Sequence, residues 1–280
     1  MNLSNSLVVV LSILTSTVLA QDIPEPDWKE LDKTKPWEAT EQWEPVPPVV
    51  TPGTYIYATP PSDAIVLFDG SDLSQWQKGQ FKGEGLDADV VKLMLDKRVE
   101  EEREAPDWTV EDGQLIVKPE SGGIETKRAF GDMQLHLEWN APYDPGKEGQ
   151  AYSNSGIFLM SLYEIQVLNN YKNTTYPNGQ VGSIYKQTIP MANASRKPGE
   201  WQAYDIIFTA PRFSDEGELI SPARVTVIHN GVVVQNNTEI KGPTVYIGKP
   251  RYVAHAPKMP LRLQDHRDLV RYRNIWVREL

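Results

Sequence analysis

The most regular feature of the chain is a two-residue alternation of apolar and polar positions. It runs without a break through Met133–Asn140 (MQLHLEWN) and recurs in 155–168 (SGIFLMSLYEIQVL), 201–211 (WQAYDIIFTAP) and 261–266 (LRLQDH). A period of two places successive side chains on opposite faces of a strand, so each stretch predicts a half-buried strand. Residues 108–119 (WTVEDGQLIVKP) read as two strands about Asp112-Gly113. Residues 223–237 (ARVTVIHNGVVVQNN) read as a hairpin about Asn230-Gly231, the strongest short hairpin signal in the chain. A further apolar run, Ala64–Gly70 (AIVLFDG), opens the regular part of the sequence.

One segment breaks the pattern. In Leu86–Pro106, Val90, Val91, Leu93, Met94 and Leu95 are set among Glu, Lys and Arg, which predicts a single inserted helix stopped by Pro106. Everything after it is short strands separated by Gly, Asn and Pro turns. The expectation is one all-β sandwich or jelly-roll domain over 64–280, without internal repeats or a second core.

The N-terminal quarter reads differently. Residues 6–20 (SLVVVLSILTSTVLA) form an apolar run ending in small residues, which predicts a secretory signal peptide over 1–20, cut before Gln21. An N-terminal membrane anchor is the alternative, for which the run is short. Cleavage would leave an exported protein, periplasmic or extracellular, with no later membrane span. Residues 21–62 carry Trp28, Trp37 and Trp43 among many prolines. Proline excludes a long helix or an interior strand here, and a disordered linker seldom carries three tryptophans. An extended arm that seats its tryptophans on the domain is expected; a linker whose aromatics bind a partner is the alternative.

Composition narrows the function. The 280 residues are 40% hydrophobic and 24% charged, ordinary for a globular chain, with a net charge of −10 and no cysteine. Disulfides, thiol nucleophiles and Cys-ligated metals are excluded. The negative field and the lack of a basic cluster argue against nucleic acid as a partner.

Alternation also assigns faces. Where Leu135, Leu137 and Trp139 face the core, His136 and Glu138 face away. Opposite Tyr163, Ile165 and Val167 stand Glu164 and Gln166. Arg262, Gln264 and His266 share the face opposite Leu261, Leu263 and Asp265. The three strands are expected to present these groups on one outer sheet face. They are short-reach hydrogen-bonding groups suited to a polyol, although a solvated sheet face is polar too.

Several motifs then resemble one family in order along the chain. They are LFDGSDLSQW (67–76), WTVEDGQLIV (108–117), GGIETKRAFGDMQLHLEW (122–139), NSGIFLMSLYEIQVLNN (154–170), GSIYKQ (182–187), NASRKPGEWQAYDIIF (193–208) and LQDHRDLVRYRNIWVREL (263–280). Together they resemble the 3-keto-disaccharide hydrolase family over about 64–280. The resemblance implies a concanavalin- or glucanase-like jelly roll of two curved sheets with its ligand on the concave face. It places the Gln264-Asp265-His266 motif at the end of a cleft-lining strand, with Arg273–Trp276 returning through the same sheet. It also implies a carbohydrate substrate, a 3-keto-glycoside supplied by an oxidoreductase. A non-catalytic carbohydrate-binding domain and an ordinary glycoside hydrolase are the alternatives. Three positions depart from the family pattern: Arg267 and Lys186 stand where relatives commonly carry glycine, and Asn169 where they often carry Asp.

Retaining glycoside hydrolysis needs two carboxyl groups about 5–5.5 Å apart. The strand with Glu164 offers only Gln166 and Asn169 as companions, neither of which can be nucleophile or acid. A 3-keto sugar permits another route, in which a base removes the acidified C2 proton, the C1 substituent is eliminated, and water adds or the bond is hydrolysed directly. His266, Glu138 and Glu164 are the candidate acids and bases, with Asp265 able to orient His266 only if the strand end bends. His136, Asn154, Gln166, Gln264, Arg273 and Asn274 are candidate substrate-binding groups. A divalent metal is possible; if present, His266, Glu138 or Glu164 would hold it. His229 reads as a surface residue beside a turn and His255 as a loop residue. Oligomeric state is not legible.

Overall fold

The computed structural model describes residues 35–53, 59–80, 88–98 and 101–280. The expected signal peptide, Trp28 and the start of the expected arm lie outside the described residues. The elements in chain order are β1 (Ile65–Phe68), β2 (Trp76–Lys78), α1 (Ala88–Asp96), β3 (Thr109–Glu111), β4 (Gln114–Ile116), β5 (Ile124–Phe130) and β6 (Met133–Asn140). They continue with β7 (Ser155–Leu159), β8 (Tyr163–Val167), β9 (Trp201–Thr209), β10 (Arg212–Phe213), β11 (Leu219–Ser221), β12 (Arg224–His229), β13 (Val232–Glu239), β14 (Met259–Leu263) and β15 (Arg271–Glu279).

The strands form an antiparallel two-sheet sandwich, as the alternation predicts. One sheet runs β13-β12-β9-β6-β15-β4-β3 with β1 also on β15, and the other runs β2-β5-β14-β7-β8. The inward positions of both meet in one core. Leu135, Leu137 and Trp139 of β6 and Tyr272, Ile275 and Val277 of β15 lie in the same buried cluster as Ile157 and Leu159 of β7, Tyr163, Ile165 and Val167 of β8, and Leu261 and Leu263 of β14. Each such side chain contributes about 1.5–3 kcal/mol by leaving water. Both predicted hairpin turns form with left-handed residues: Asp112-Gly113 at φ 50° and 70°, Asn230-Gly231 at φ 52° and 83°. No described helix is long and apolar enough to cross a membrane.

Three expectations need correction. The helix stops at Asp96 rather than running to Pro106. Beyond it the chain is claimed by tertiary contacts: the Arg103 backbone donates to Gln77 (3.0 Å), its guanidinium to the Lys78 carbonyl (2.8 Å), and Lys78 N–H to the Glu104 carbonyl (2.9 Å). These contacts run the segment along β2 and outweigh helix propensity. His229 is buried, not at the surface; it sits between Gln202 (3.0 Å) and Asn230 (3.1 Å), and burial pushes its imidazole down to about 3. Finally, β14 and β15 do not share a sheet. The loop between them crosses the edge of the sandwich, turning at Arg267 with φ 70°.

Residues 35–53 lie along the domain. Val50 N–H donates to the Asn193 carbonyl and Asn193 N–H to the Pro48 carbonyl, both at 2.9 Å, and Arg196 bonds the Gly53 carbonyl at 2.7 Å. Trp37 stacks on Tyr246 with centroids 6.2 Å apart. Trp43, expected to be packed away from water, is 56% exposed.

Candidate functional site

The structure divides the candidate residues between two faces. Glu138 and His136 project from β6, and Arg273 and Asn274 belong to β15, both in the eight-stranded sheet. Glu164 and Gln166 project from β8 and Gln264 follows β14, both in the five-stranded sheet. Each strand turns its apolar partners into the common core, so the two polar sets point away from each other across sheets about 10 Å apart. They do not converge on one cleft. Alternation tells which side of a strand faces the core, but not which sheet the strand joins.

The outer face of the five-stranded sheet can be built row by row from its register. One row crosses the sheet through Gln77, Glu125, Arg262, Phe158 and Glu164. The next holds Gln166 opposite Gly156, with Gln264 N–H donating to the Gly156 carbonyl (3.0 Å). Beyond β8, Ile184 pairs with Ile165, Tyr185 N–H bonds the Glu164 carbonyl, and Gln166 N–H bonds the Ser183 carbonyl. Ile165 and Ile184 both face the core, so Ser183 and Tyr185 extend the two outer rows.

Gly156 leaves room for the buried Glu164 side chain. A Cβ there would come within 2.4 Å of Glu164 Oε1, so the carboxylate lies over the backbone of β7 because no side chain intervenes. Carboxamides surround it. Gln166 donates to Asn154 Oδ1 at 3.1 Å, and Asn154 donates to the Gln150 carbonyl at 2.9 Å. The backbone N–H of Asn154 is held by Asp268 (2.7 Å), which also pairs with Lys147. Ser183 Oγ is buried without a partner among the described residues. The sequence pattern pointed to Glu164, Gln166, Asn154 and Gln264. It missed Gln150 and Ser183, which lie outside the alternating strands.

Further along the first row both charged side chains are engaged. Arg262 lies over the Phe158 ring at 3.8 Å, and Glu125 bonds Arg103 (2.5 Å) and Ser161 (3.1 Å). On the other side of Glu164 stands an aromatic wall, with the hydroxyls of Tyr176 and Tyr185 2.8 Å apart. Burial pushes the Tyr176 phenol far above its ordinary value, and the nearby charges of Glu41 and Glu164 add to the effect.

The loop after Gln264 does less than its residues suggest. Asp265 uses one carboxylate oxygen on Gly122 N–H (2.9 Å) and the other on Arg267 N–H (2.8 Å). It shapes the loop instead of orienting His266. His266 itself is exposed, two residues beyond Gln264. A metal shared by His266, Glu138 and Glu164 does not fit this arrangement, because Glu138 belongs to the other sheet. Among the described residues no group of three or more His, Asp or Glu side chains could hold an ion.

The departures from the family pattern have structural roles. Lys186 adopts φ 57°, a backbone suited to glycine. Its ammonium bonds the carbonyls of Trp37 (2.5 Å) and Tyr246 (3.2 Å) and lies 4.6 Å from the Tyr246 ring centre. Arg267 holds its left-handed φ while exposed to solvent. Asn169 accepts Tyr171 N–H at 3.1 Å within its own loop.

On the opposite face, the eight-stranded sheet carries a closed polar knot. His136 bonds Asp205 (2.7 Å), while Glu138 takes Asn274 (3.0 Å) and Arg273 (2.7 Å). Trp276 stacks on His136 at 5.1 Å, and Arg273 lies 4.0 Å over Trp201. The knot sits where β15 bulges between Arg273 and Trp276, with Asn274 at φ 48°. Burial pulls the His136 imidazolium down, but its hydrogen bond to Asp205 and its attraction to Glu138, 3.9 Å away, outweigh it and hold the ring above its ordinary value. Burial likewise raises Glu138, yet the nearby His136 and its bonds to Asn274 and Arg273 bring it below the usual carboxylate range. Each charge answers another, which is the chemistry of a structural network.

The comparisons with known proteins agree with this architecture. Residues 63–278 match the model of the 3-keto-alpha-glucoside-1,2-lyase-like domain. The chain belongs to this family, a glycosyl hydrolase-like group of carbohydrate-active domains. A crystal structure from Parabacteroides distasonis ATCC 8503, of a protein provisionally named a glycosyl hydrolase, is 49% identical; the match covers 87% of this chain and 96% of that one, with a TM-score of 0.70. A second protein of the same organism, with the same provisional name, is 18% identical over 78% of this chain and 94% of its own, with a TM-score of 0.48. No match is found among the curated proteins.

Proposed function

We propose that the chain cleaves 3-keto-glycosides by elimination on the outer face of the five-stranded sheet, with Glu164 as the base. The observation that carries this reading is a buried carboxylate seated in a bed of amides. Glu164 lies over Gly156, beside Gln166 and near Gln264 and Asn154. The other carboxylate of that row, Glu125, is three strands away, about 14 Å at strand spacing, and is bonded to Arg103. Two-carboxylate hydrolysis needs its groups about 5–9.5 Å apart. Elimination needs only one base, and the family description names a lyase acting on a 3-keto sugar.

In this reading the C3 ketone acidifies the C2 proton, which passes to Glu164. The resulting enolate oxygen takes hydrogen bonds from the Gln166 and Asn154 amides. The C1–O bond then breaks, its electron pair leaves with the departing alcohol oxygen, and a C1=C2 double bond forms beside the ketone. His266, at the exposed end of the same strand path, is the candidate proton donor to that oxygen. Addition of water to the enone makes the net change a hydrolysis. Export through residues 1–20 belongs to the same proposal, with a mature chain beginning at Gln21.

The test is incubation with a 3-keto-disaccharide and with the unoxidised sugar, followed by NMR. Cleavage of only the keto form, with an enone or its hydrate as product, is expected. Cleavage of both sugars would make the protein an ordinary glycosidase, and binding without turnover would make it a lectin-like domain.

A further inference from the structure

The family match begins at residue 63, yet the segment before it reaches the candidate site. Two carboxamide hydrogen bonds clamp it to the domain: Gln42 N–H to Asn178 Oδ1 (2.9 Å) and Asn178 Nδ2 to the Thr40 carbonyl (2.8 Å). The Lys186 ammonium bonds the Trp37 carbonyl, and Trp37 stacks on Tyr246. Asn178 and Lys186 are themselves joined, Lys186 N–H to the Asn178 carbonyl at 2.7 Å. The arm is therefore fixed over the loop that carries Tyr176 and Tyr185.

Trp43 sits at the end of this clamp. Its ring meets Tyr176 edge to face, with centroids 6.1 Å apart. It is nevertheless 56% exposed, and the other described tryptophans are buried or half-buried. Tyr176 in turn shares a hydroxyl contact with Tyr185, whose backbone N–H bonds the Glu164 carbonyl, so Trp43 and Glu164 belong to one stretch of the site.

We infer that Trp43 is a stacking platform for the second sugar ring of the substrate, the ring that leaves. This rests on the reading that Glu164 marks the reacting ring. A pyranose presents a face of C–H groups with small positive charge, which an aromatic face with its negative quadrupole attracts. The platform is preorganised, so little ordering is needed when a ring lands on it. The arm thus makes the site selective for two-ring over one-ring ligands.

The experiment is titration of the full chain and of Trp43→Ala and Trp43→Phe, by calorimetry and tryptophan fluorescence. The ligands are a glucose disaccharide and methyl α-glucoside, each unoxidised and as its 3-keto form. The account expects Trp43→Ala to weaken disaccharide binding about tenfold, an aromatic contact of roughly 1.4 kcal/mol, and one-ring binding less than about twofold. Trp43→Phe should retain most of the difference, and wild-type fluorescence should change with two-ring ligands. Equal losses for one-ring and two-ring ligands, no loss for either, or no disaccharide binding at all would overturn the inference. Failure of the 3-keto reading looks different: oxidised and unoxidised sugars would behave alike, while the contrast between one ring and two would survive.

Discussion

Two residues share a strained backbone and ought to respond to glycine in opposite ways. Arg267 is exposed at φ 70°, and among the described residues its side chain makes no hydrogen bond, only a 3.9 Å approach to exposed Glu120. Left-handed backbone costs a residue with a Cβ about 1 kcal/mol, so Arg267→Gly should stabilise the fold by up to about 1 kcal/mol in thermal or urea unfolding. A loss of stability would contradict this. Lys186, at φ 57°, gains the same backbone relief from glycine but loses two charge-assisted hydrogen bonds and its contact with the Tyr246 ring. Lys186→Gly should destabilise by about 2 kcal/mol and expose residues 35–53 to limited proteolysis. An intact arm in that variant would show that its bonds to Asn178, Asn193 and Arg196 hold it without Lys186. Neither sign could be drawn from the sequence, because both positions show only a cation where relatives carry glycine.

At the scale of elements, the polar knot on β6, β9 and β15 belongs to stability. Glu138 is buried and bonded to Arg273 and Asn274, so Glu138→Gln should cost about 3 kcal/mol in unfolding while leaving the chemistry on the other sheet in place. The knot also sets a pH dependence. His136 is held above 6.5, so its contribution is full below pH 6.5 and is lost as pH rises through the raised value. Glu138 is held below 4.5, so its contribution is present above pH 4.5 and is lost as pH falls through the lowered value. Together they favour the range between about pH 4.5 and 6.5. Replacing His136 by Gln should remove the decline above pH 6.5 in a series of melting temperatures, and an unchanged decline would assign it to other groups.

The same elements show what was legible in advance. Alternation placed Leu135, Leu137 and Trp139 inward and Glu138 outward, and it did the same for Tyr163, Ile165, Val167 and Glu164. Both readings are local and both hold. The pairing of β6 with β15 and of β8 with β7 is a long-range choice made by the core, and period-two patterning is silent on it. The crossing of the β14–β15 loop was hidden for the same reason: Gln264–Val270 contains no apolar period, and Asp265 and Asp268 are used on backbone groups far away in sequence.

For the molecule as a whole, the sandwich carries polar groups on both outer faces, and among the described residues Tyr176, Tyr185 and the arm at Trp43 adjoin the five-stranded one. The central claim is that the chemistry occurs there, through Glu164. The most direct measurement is the turnover of a 3-keto-disaccharide, with hydrogen or deuterium at C2, by the wild type, Glu164→Gln and Glu138→Gln, each scaled to its folded fraction. The account predicts a 10²–10⁴-fold loss for Glu164→Gln, near-normal turnover for Glu138→Gln, and slower reaction of the deuterated sugar where proton removal limits the rate. Full activity in Glu164→Gln together with its loss in Glu138→Gln would place the reaction on the opposite sheet and contradict the account.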